Sequence, residues 1–194
     1  MRVLIIILVL FFSLQSWSKA DDISDFEIEG ISIGHTLLDY LSKDYIENTK
    51  LPIFRGGKEH KEYHKVQLKS SSELYERVLL YYRTNDPNII IKAIVGRVYF
   101  ENNINECYAL QKNIVNELES IFTQEKKLDR GKIKNLAFPD GDSYKNDVSF
   151  YFKDGSMVHI ACYDFSSKDT TSVDRLSVGI YSKEYFEWFL SLKQ

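Results

Sequence analysis

The chain has 194 residues, of which 44% are hydrophobic and 14% aromatic, with only three prolines. That composition excludes a disordered polymer and suits one folded domain with its own core. The formal charge of −3 leaves no basic excess of the kind that nucleic-acid binding requires.

Met1 and Arg2 make a short basic start, and Val3 to Leu14 is apolar apart from Ser13. Such a run is too short to span a bilayer, which takes about 20 residues. With the small residues Ser18 and Ala20 behind it, the pattern predicts a signal peptide over 1–20, cut after Ala20. The expected mature chain, 21–194, is a single domain in the periplasm or outside the cell. Losing Arg2 and Lys19 takes its formal charge from −3 to −5, with 23 basic residues against 28 acidic. No later stretch is long and apolar enough for a transmembrane helix.

Phe26, Ile28, Ile31 and Ile33 alternate with a slip at Gly30, the pattern of a bulged strand. Gly34 breaks it. Thr36, with Asp39 three residues on, predicts the N-terminus of a helix bearing Leu37, Leu38, Leu41 and Tyr45 and ending before Pro52. Arg55 to His64, with Gly56 and Gly57, reads as a loop. Three strands are expected at about His64–Lys69, Glu76–Arg83 and Ile89–Glu101, with turn chemistry at Asn85 to Asn88. Cys107, Leu110, Ile114, Leu118 and Ile121 recur at steps of three and four and predict the clearest helix in the chain, with Asn103 and Glu106 at capping spacing.

Glu125 to Lys145 reads as a long polar loop. Val148, Phe150 and Phe152 then face Val158, Ile160 and Cys162 only if the hairpin between them turns on three residues, Lys153, Asp154 and Gly155, with Gly155 left-handed. That register puts Ser149, Tyr151, Met157, His159 and Tyr163 on the opposite face. Leu176, Val178 and Ile180 mark a last half-buried strand, and Ser182 caps a short helix. The expected fold is α+β: an antiparallel sheet of about six or seven strands with helices packed on one face, in the order β-α-βββ-α-βββ-α. The recurrence of a helix followed by three strands suggests an internal duplication.

Cys107 and Cys162 each fall on a core-facing position, and one such pair in an exported protein predicts a disulfide. Two buried thiols are the other arrangement these positions allow. His60, Glu62 and His64 stand two apart, a set of the kind that holds metals, but without a third firm ligand or an open position. The ordinary reading is a hydrated loop, and no metal or cofactor is expected. Asp140, Asp142 and Asp147 miss the calcium-loop spacing. His35 reads as a turn residue and His159 as an exposed sheet residue. No Gly-x-Ser-x-Gly elbow, His-Glu-x-x-His pair or phosphate-cradling glycine loop occurs.

Two surfaces remain as candidates for binding. Lys126, Lys127, Arg130, Lys132 and Lys134 place five positive charges within nine residues, suited to an acidic partner or an anionic envelope component. Tyr151, Tyr163 and Tyr181 are predicted on the outer face of the sheet. Phe26 to Tyr40, together with Cys107–Tyr108 and the run Ala161 to Asp164, resembles small exported proteins of Pelagibacter-type marine alphaproteobacteria, a family with no assigned activity. Ile33–Gly34 before a helix is similar to beta-lactamase-inhibitor-like and outer-membrane-assembly lipoprotein modules, a likeness that implies a binding role. The expected function is thus a soluble, non-catalytic binding or envelope-interaction module for an unidentified protein or envelope component. A small periplasmic hydrolase or metal-dependent enzyme with a loop-assembled site is the alternative.

Overall fold

The computed structural model describes residues 23–55, 57–69, 74–101, 103–135, 142–168 and 172–192. The expected signal peptide and its cut after Ala20 lie outside them, as does Asp140. Among the described residues the chain is α+β, built on one antiparallel sheet of eight strands.

The first segment departs from the expected bulged strand. Glu29 and Gly30 both take positive φ, 57° and 72°, and turn the chain tightly between two short strands, β1 (Glu27–Ile28) and β2 (Ile31–Ser32). Thr36 does cap a turn, but of a three-residue 3-10 helix only. The helix cannot continue from there because the backbone is held elsewhere. Gly34 N donates to Ile91 O, Leu37 N to Ile89 O, and Ile91 N to His35 O, while the Thr36 hydroxyl donates to Asn88 O. The first α-helix, α1 (Lys43–Thr49), begins instead at Ser42, whose hydroxyl accepts from Tyr45 N.

After α1 come four strands, β3 (Leu51–Arg55), β4 (Lys58–Lys69), β5 (Arg77–Arg83) and β6 (Ile91–Tyr99). The supposed loop at Arg55 to His64 is therefore the β3–β4 hairpin. Helix α2 (Ile104–Ile121) follows, and then four more strands, β7 (Lys126–Lys134), β8 (Tyr144–Tyr151), β9 (Met157–Asp164) and β10 (Arg175–Tyr181), closed by α3 (Lys183–Ser191). The basic segment expected as loop is a strand because its nine residues pair along β8. Charge is no bar to a strand at an edge, where side chains stay in water.

The sheet order is β3-β4-β5-β6-β10-β9-β8-β7. Each helix α1 and α2 is followed by a meander of four strands, not three, and the two meanders join through β6 and β10. The β8–β9 hairpin turns as expected: Phe150 pairs with Val158 and Val148 with Ile160. Phe152 N donates to Ser156 O around a three-residue loop, and Gly155 has φ +89°.

One face of the sheet carries Val66, Val78, Leu80, Ile94, Phe150, Ile160, Leu176 and Val178 and packs with Leu37 of the N-terminal segment, Ile46 of α1, and Ile114 and Val115 of α2. Cys107 of α2 is disulfide-bonded to Cys162 of β9, with Cα atoms 6.0 Å apart. Gln111, one turn further on, donates from Nε2 to the carbonyls of Asn146 and Ile160, so a buried amide and the bridge fix α2 to the same strands. The expectation that the helices share one face fails at α3. Its Tyr185 packs with Ile53, Tyr63, Leu79, Tyr81, Ala93 and Val95 on the opposite face, because strand residues there are apolar as well and cannot be left to water.

Closing a loop with a sequence separation of 55 stabilises the fold by about 4 kcal/mol on the chain-entropy relation. Urea unfolding of the oxidised chain and of the Cys107→Ser/Cys162→Ser variant is expected to differ by that amount, and equal midpoints would show that the bridge contributes nothing.

Candidate functional site

The α3 face is where charged and aromatic groups gather. Helix α3 lies over the β4–β6 side and is fastened at both ends. Ser182 caps it by accepting from Tyr185 N. Glu184 accepts from Tyr63 Oη at 3.1 Å and pairs with Arg83 at 3.0 Å and Lys92 at 2.7 Å. At its far end Arg55 donates to Phe189 O and stacks on the Phe189 ring at 4.2 Å. Between α3 and β8–β10 a cleft of about 460 Å³ remains.

Tyr151, Tyr163 and Tyr181 do lie on this face, as the alternation predicts, but as cleft lining and not as an open outer surface. Tyr181 stacks near Tyr185 with ring centroids 6.0 Å apart, and Tyr151 meets Phe186 at 6.1 Å. The Tyr181 ring folds back along its own strand over Gly179: a Cβ there would sit 2.4 Å from the Tyr181 hydroxyl. Burial, and then Tyr163 and Tyr81, push the Tyr181 phenol far above its ordinary range, so it stays a neutral donor at any physiological pH.

His159 is not an exposed sheet residue. Its Nε2 lies 2.6 Å from Asp147 Oδ1, with the two side chains only 15% and 3% exposed. The register explains the contact: Ser149 is directly across from His159, and Asp147 sits two residues away on the same face of β8. Lys145 reaches Asp147 at 2.7 Å and Arg130 at 3.4 Å. Burial alone would raise the Asp147 carboxyl, but the hydrogen bonds and charges of His159 and Lys145 overcome it and hold the group well below its ordinary value.

The predicted basic cluster is divided by the pleat of β7. Arg130 joins the cleft. Lys127 turns to the other face and pairs with Glu119 of α2 at 2.7 Å, and Lys132 pairs with Asp164 at 2.8 Å. Lys126 and Lys134 are exposed and make no ion pair among the described residues. His60, Glu62 and His64 do not form one set. His60 is near Trp188 on the α3 face, whereas His64 meets Tyr82, whose side is the α1–α2 face. The irregularity in the β3–β4 pairing between Pro52 and Ile53 reverses the alternation between the two histidines. No cluster of three or more His, Cys, Asp or Glu residues suited to a metal occurs among the described residues. Asp142 pairs with Lys168, away from Asp147.

The cleft also holds Arg97 of β6 and Arg175 of β10, which the sequence reading passed over. Their signal is a charge at an inward step of an alternating strand: Arg97 interrupts the apolar run from Ile89 to Phe100, and Arg175 shares its side with Ser177, Gly179 and Tyr181.

Two outcomes test this geometry. Asp147→Asn is expected to cost about 3 kcal/mol in urea unfolding, because Lys145 and His159 lose a buried partner. Since the carboxyl is depressed in the folded state, its stabilising contribution is complete above the ordinary value of 3.8 and declines as pH falls below it. The Asn variant should therefore lose less stability on acidification than the parent, and parallel pH profiles would refute the coupling. Gly179→Ala should force Tyr181 outward, reducing stability by about 1–3 kcal/mol and altering the near-ultraviolet circular dichroism; an unchanged spectrum would show the ring is not held there. In comparison with known proteins, the chain matches no family, no curated protein and no solved structure.

Proposed function

We propose that this chain is an exported, non-catalytic binding module whose working surface is the cleft between α3 and strands β8–β10. The observation that supports it is the meeting of aromatic rings and charged groups in one half-open space large enough for a small ligand or a protruding chain segment. Four of the residues singled out from the sequence, Arg130, Tyr151, Tyr163 and Tyr181, line it. Rigid aromatic anchors with few rotatable bonds are the side chains that binding surfaces favour. Export fits the Cys107–Cys162 bridge, since such bonds persist in oxidising compartments. No helix among the described residues is long and apolar enough to cross a membrane. The resemblance to uncharacterised exported proteins belongs to this reading, and so does an internal duplication, supported by the like order of helix and four-stranded meander in the two halves.

A small hydrolase is the second reading, favoured by Asp147, His159 and Ser149 on one face. Ser149 stands directly across from His159, but the histidine hydrogen-bonds to Asp147 and, among the described residues, not to the serine that a base would have to activate. A hydrolytic activity abolished in His159→Ala would replace binding with catalysis.

Leu190 lines the cleft and is 61% exposed, while Lys112 is exposed on α2. With a photo-reactive amino acid at each position in turn, irradiation in the native envelope is expected to yield an adduct from position 190 and none from 112. Adducts from 112 alone would place the working surface on the other face.

A further inference from the structure

We propose that Arg97 and Arg175 form a recognition site for a tetrahedral oxyanion, a phosphate or sulfate group, where β6 and β10 meet in the cleft. This rests on the reading of the cleft as a binding surface and adds the chemistry of what it takes.

The two guanidiniums stand on neighbouring strands. Ser177 is directly across from Arg97 and Tyr99 from Arg175, which sets the arginines diagonally on the same face, within reach of one ligand. The Nε atoms of both are buried without a hydrogen-bond partner. Arg175 lies over the rings of Tyr163 and Phe165, at 5.0 and 4.7 Å from their centroids. Those rings engage the flat face of the guanidinium and leave its in-plane Nε–H, which can only donate, unmet.

The surroundings add positive charge. Arg77 of β5 is directly opposite Arg97 of β6, a like-charge pairing that costs stability in a sheet. Lys65 is disfavoured as a cation, first by burial and then by Arg97. Arg175 is likewise disfavoured as a cation, first by burial and then by Arg97. Among the described residues no carboxylate pairs with Lys65, Arg77, Arg97 or Arg175, although Arg130 and Lys145 in the same cleft both reach Asp147. Among the described residues Arg97 and Arg175 thus have no acidic partner in a chain of net charge −3, and a buried charge requires one. A doubly charged tetrahedral group offers each guanidinium its own oxygens and matches two forks better than one carboxylate does.

The test is calorimetric titration of the folded, disulfide-bonded chain with sodium phosphate and sodium sulfate, against sodium chloride at matched ionic strength. Saturable binding of phosphate or sulfate, absent with chloride, is expected, and Arg97→Gln and Arg175→Gln should each weaken it about tenfold or more. Arg97→Gln removes one of two repelling charges and should leave the melting temperature without anion unchanged or higher, which separates lost binding from lost folding. If a glutamine variant fails to fold, Arg97→Lys and Arg175→Lys keep the charge without the fork and should also bind more weakly. Phenyl phosphate binding more tightly than inorganic phosphate would identify an aryl ester stacked on the cleft tyrosines, and equal affinity the free anion; both uphold the site. No saturable binding by the parent chain, or undiminished binding in Arg97→Gln/Arg175→Gln, overturns it. In that case an intact adduct at position 190 would leave the cleft as a binding surface without an oxyanion.

Discussion

The pairing of β6 with β10 is the constraint on which the rest of this structure depends. Seven residues of β10 are matched against β6, and among the described residues this is the seam that joins the two four-stranded meanders of the sheet. Each strand carries one glycine at the seam, and the two serve opposite faces. On the helical face a Cβ at Gly96 would lie 2.5 Å from the ring of Tyr75, and on the cleft face one at Gly179 would meet Tyr181. Glycine weakens a strand in isolation. Here each glycine lets an aromatic ring lie flat against the backbone, so the seam is covered by a large apolar surface on both sides.

The two faces solve different problems with the same sheet. The α2 face is made by burial, reinforced by the disulfide and by the Gln111 amide, and contains few charges. The α3 face is made partly by electrostatics. Glu184 draws Tyr63, Arg83 and Lys92 together, and Asp147 does the same for Lys145, His159 and Arg130. Two separate acidic centres therefore organise the two walls of the cleft, and among the described residues Arg97 and Arg175 form an ion pair with neither. Lys92 hydrogen-bonds through its carbonyl to Ser182 N as well, which ties the start of α3 to β6 and thus to the seam.

Much of this was legible where a pattern was strictly local. The three-residue β8–β9 turn followed from keeping Phe150 opposite Val158, and that register alone placed Cys162 toward α2 and Tyr163 toward the cleft. The stripe from Cys107 to Ile121 marked the helix that became α2. What could not be read was set by distant partners. Thr36 carries a sound capping signal, but β6 and the turn before it claim the neighbouring backbone first. The basic residues of β7 look like loop because nothing in Lys126 to Lys134 states that β8 lies alongside. His60 and His64 part company through an irregularity in pairing that leaves no mark on composition. Arg97 and Arg175 were visible as charges within alternating strands, yet their closeness depends on β10 returning beside β6, a strand nearly eighty positions earlier.

The outermost strands, β3 and β7, have a consequence for the life of the protein in a crowded compartment. A sheet of eight strands exposes two rows of unpaired backbone groups, and such rows recruit further strands from other molecules. Here one row contains Pro52, which has no N–H to offer, and an irregular pairing beside it. The other is broken at Asp129–Gly131, where Gly131 takes φ +59°, and is studded with lysines whose mutual repulsion would oppose the docking of a second copy edge to edge. The basic run that first suggested an attraction for partners thus also acts as a terminator: it lets a long, tyrosine-rich sheet stop at eight strands rather than grow into an aggregate.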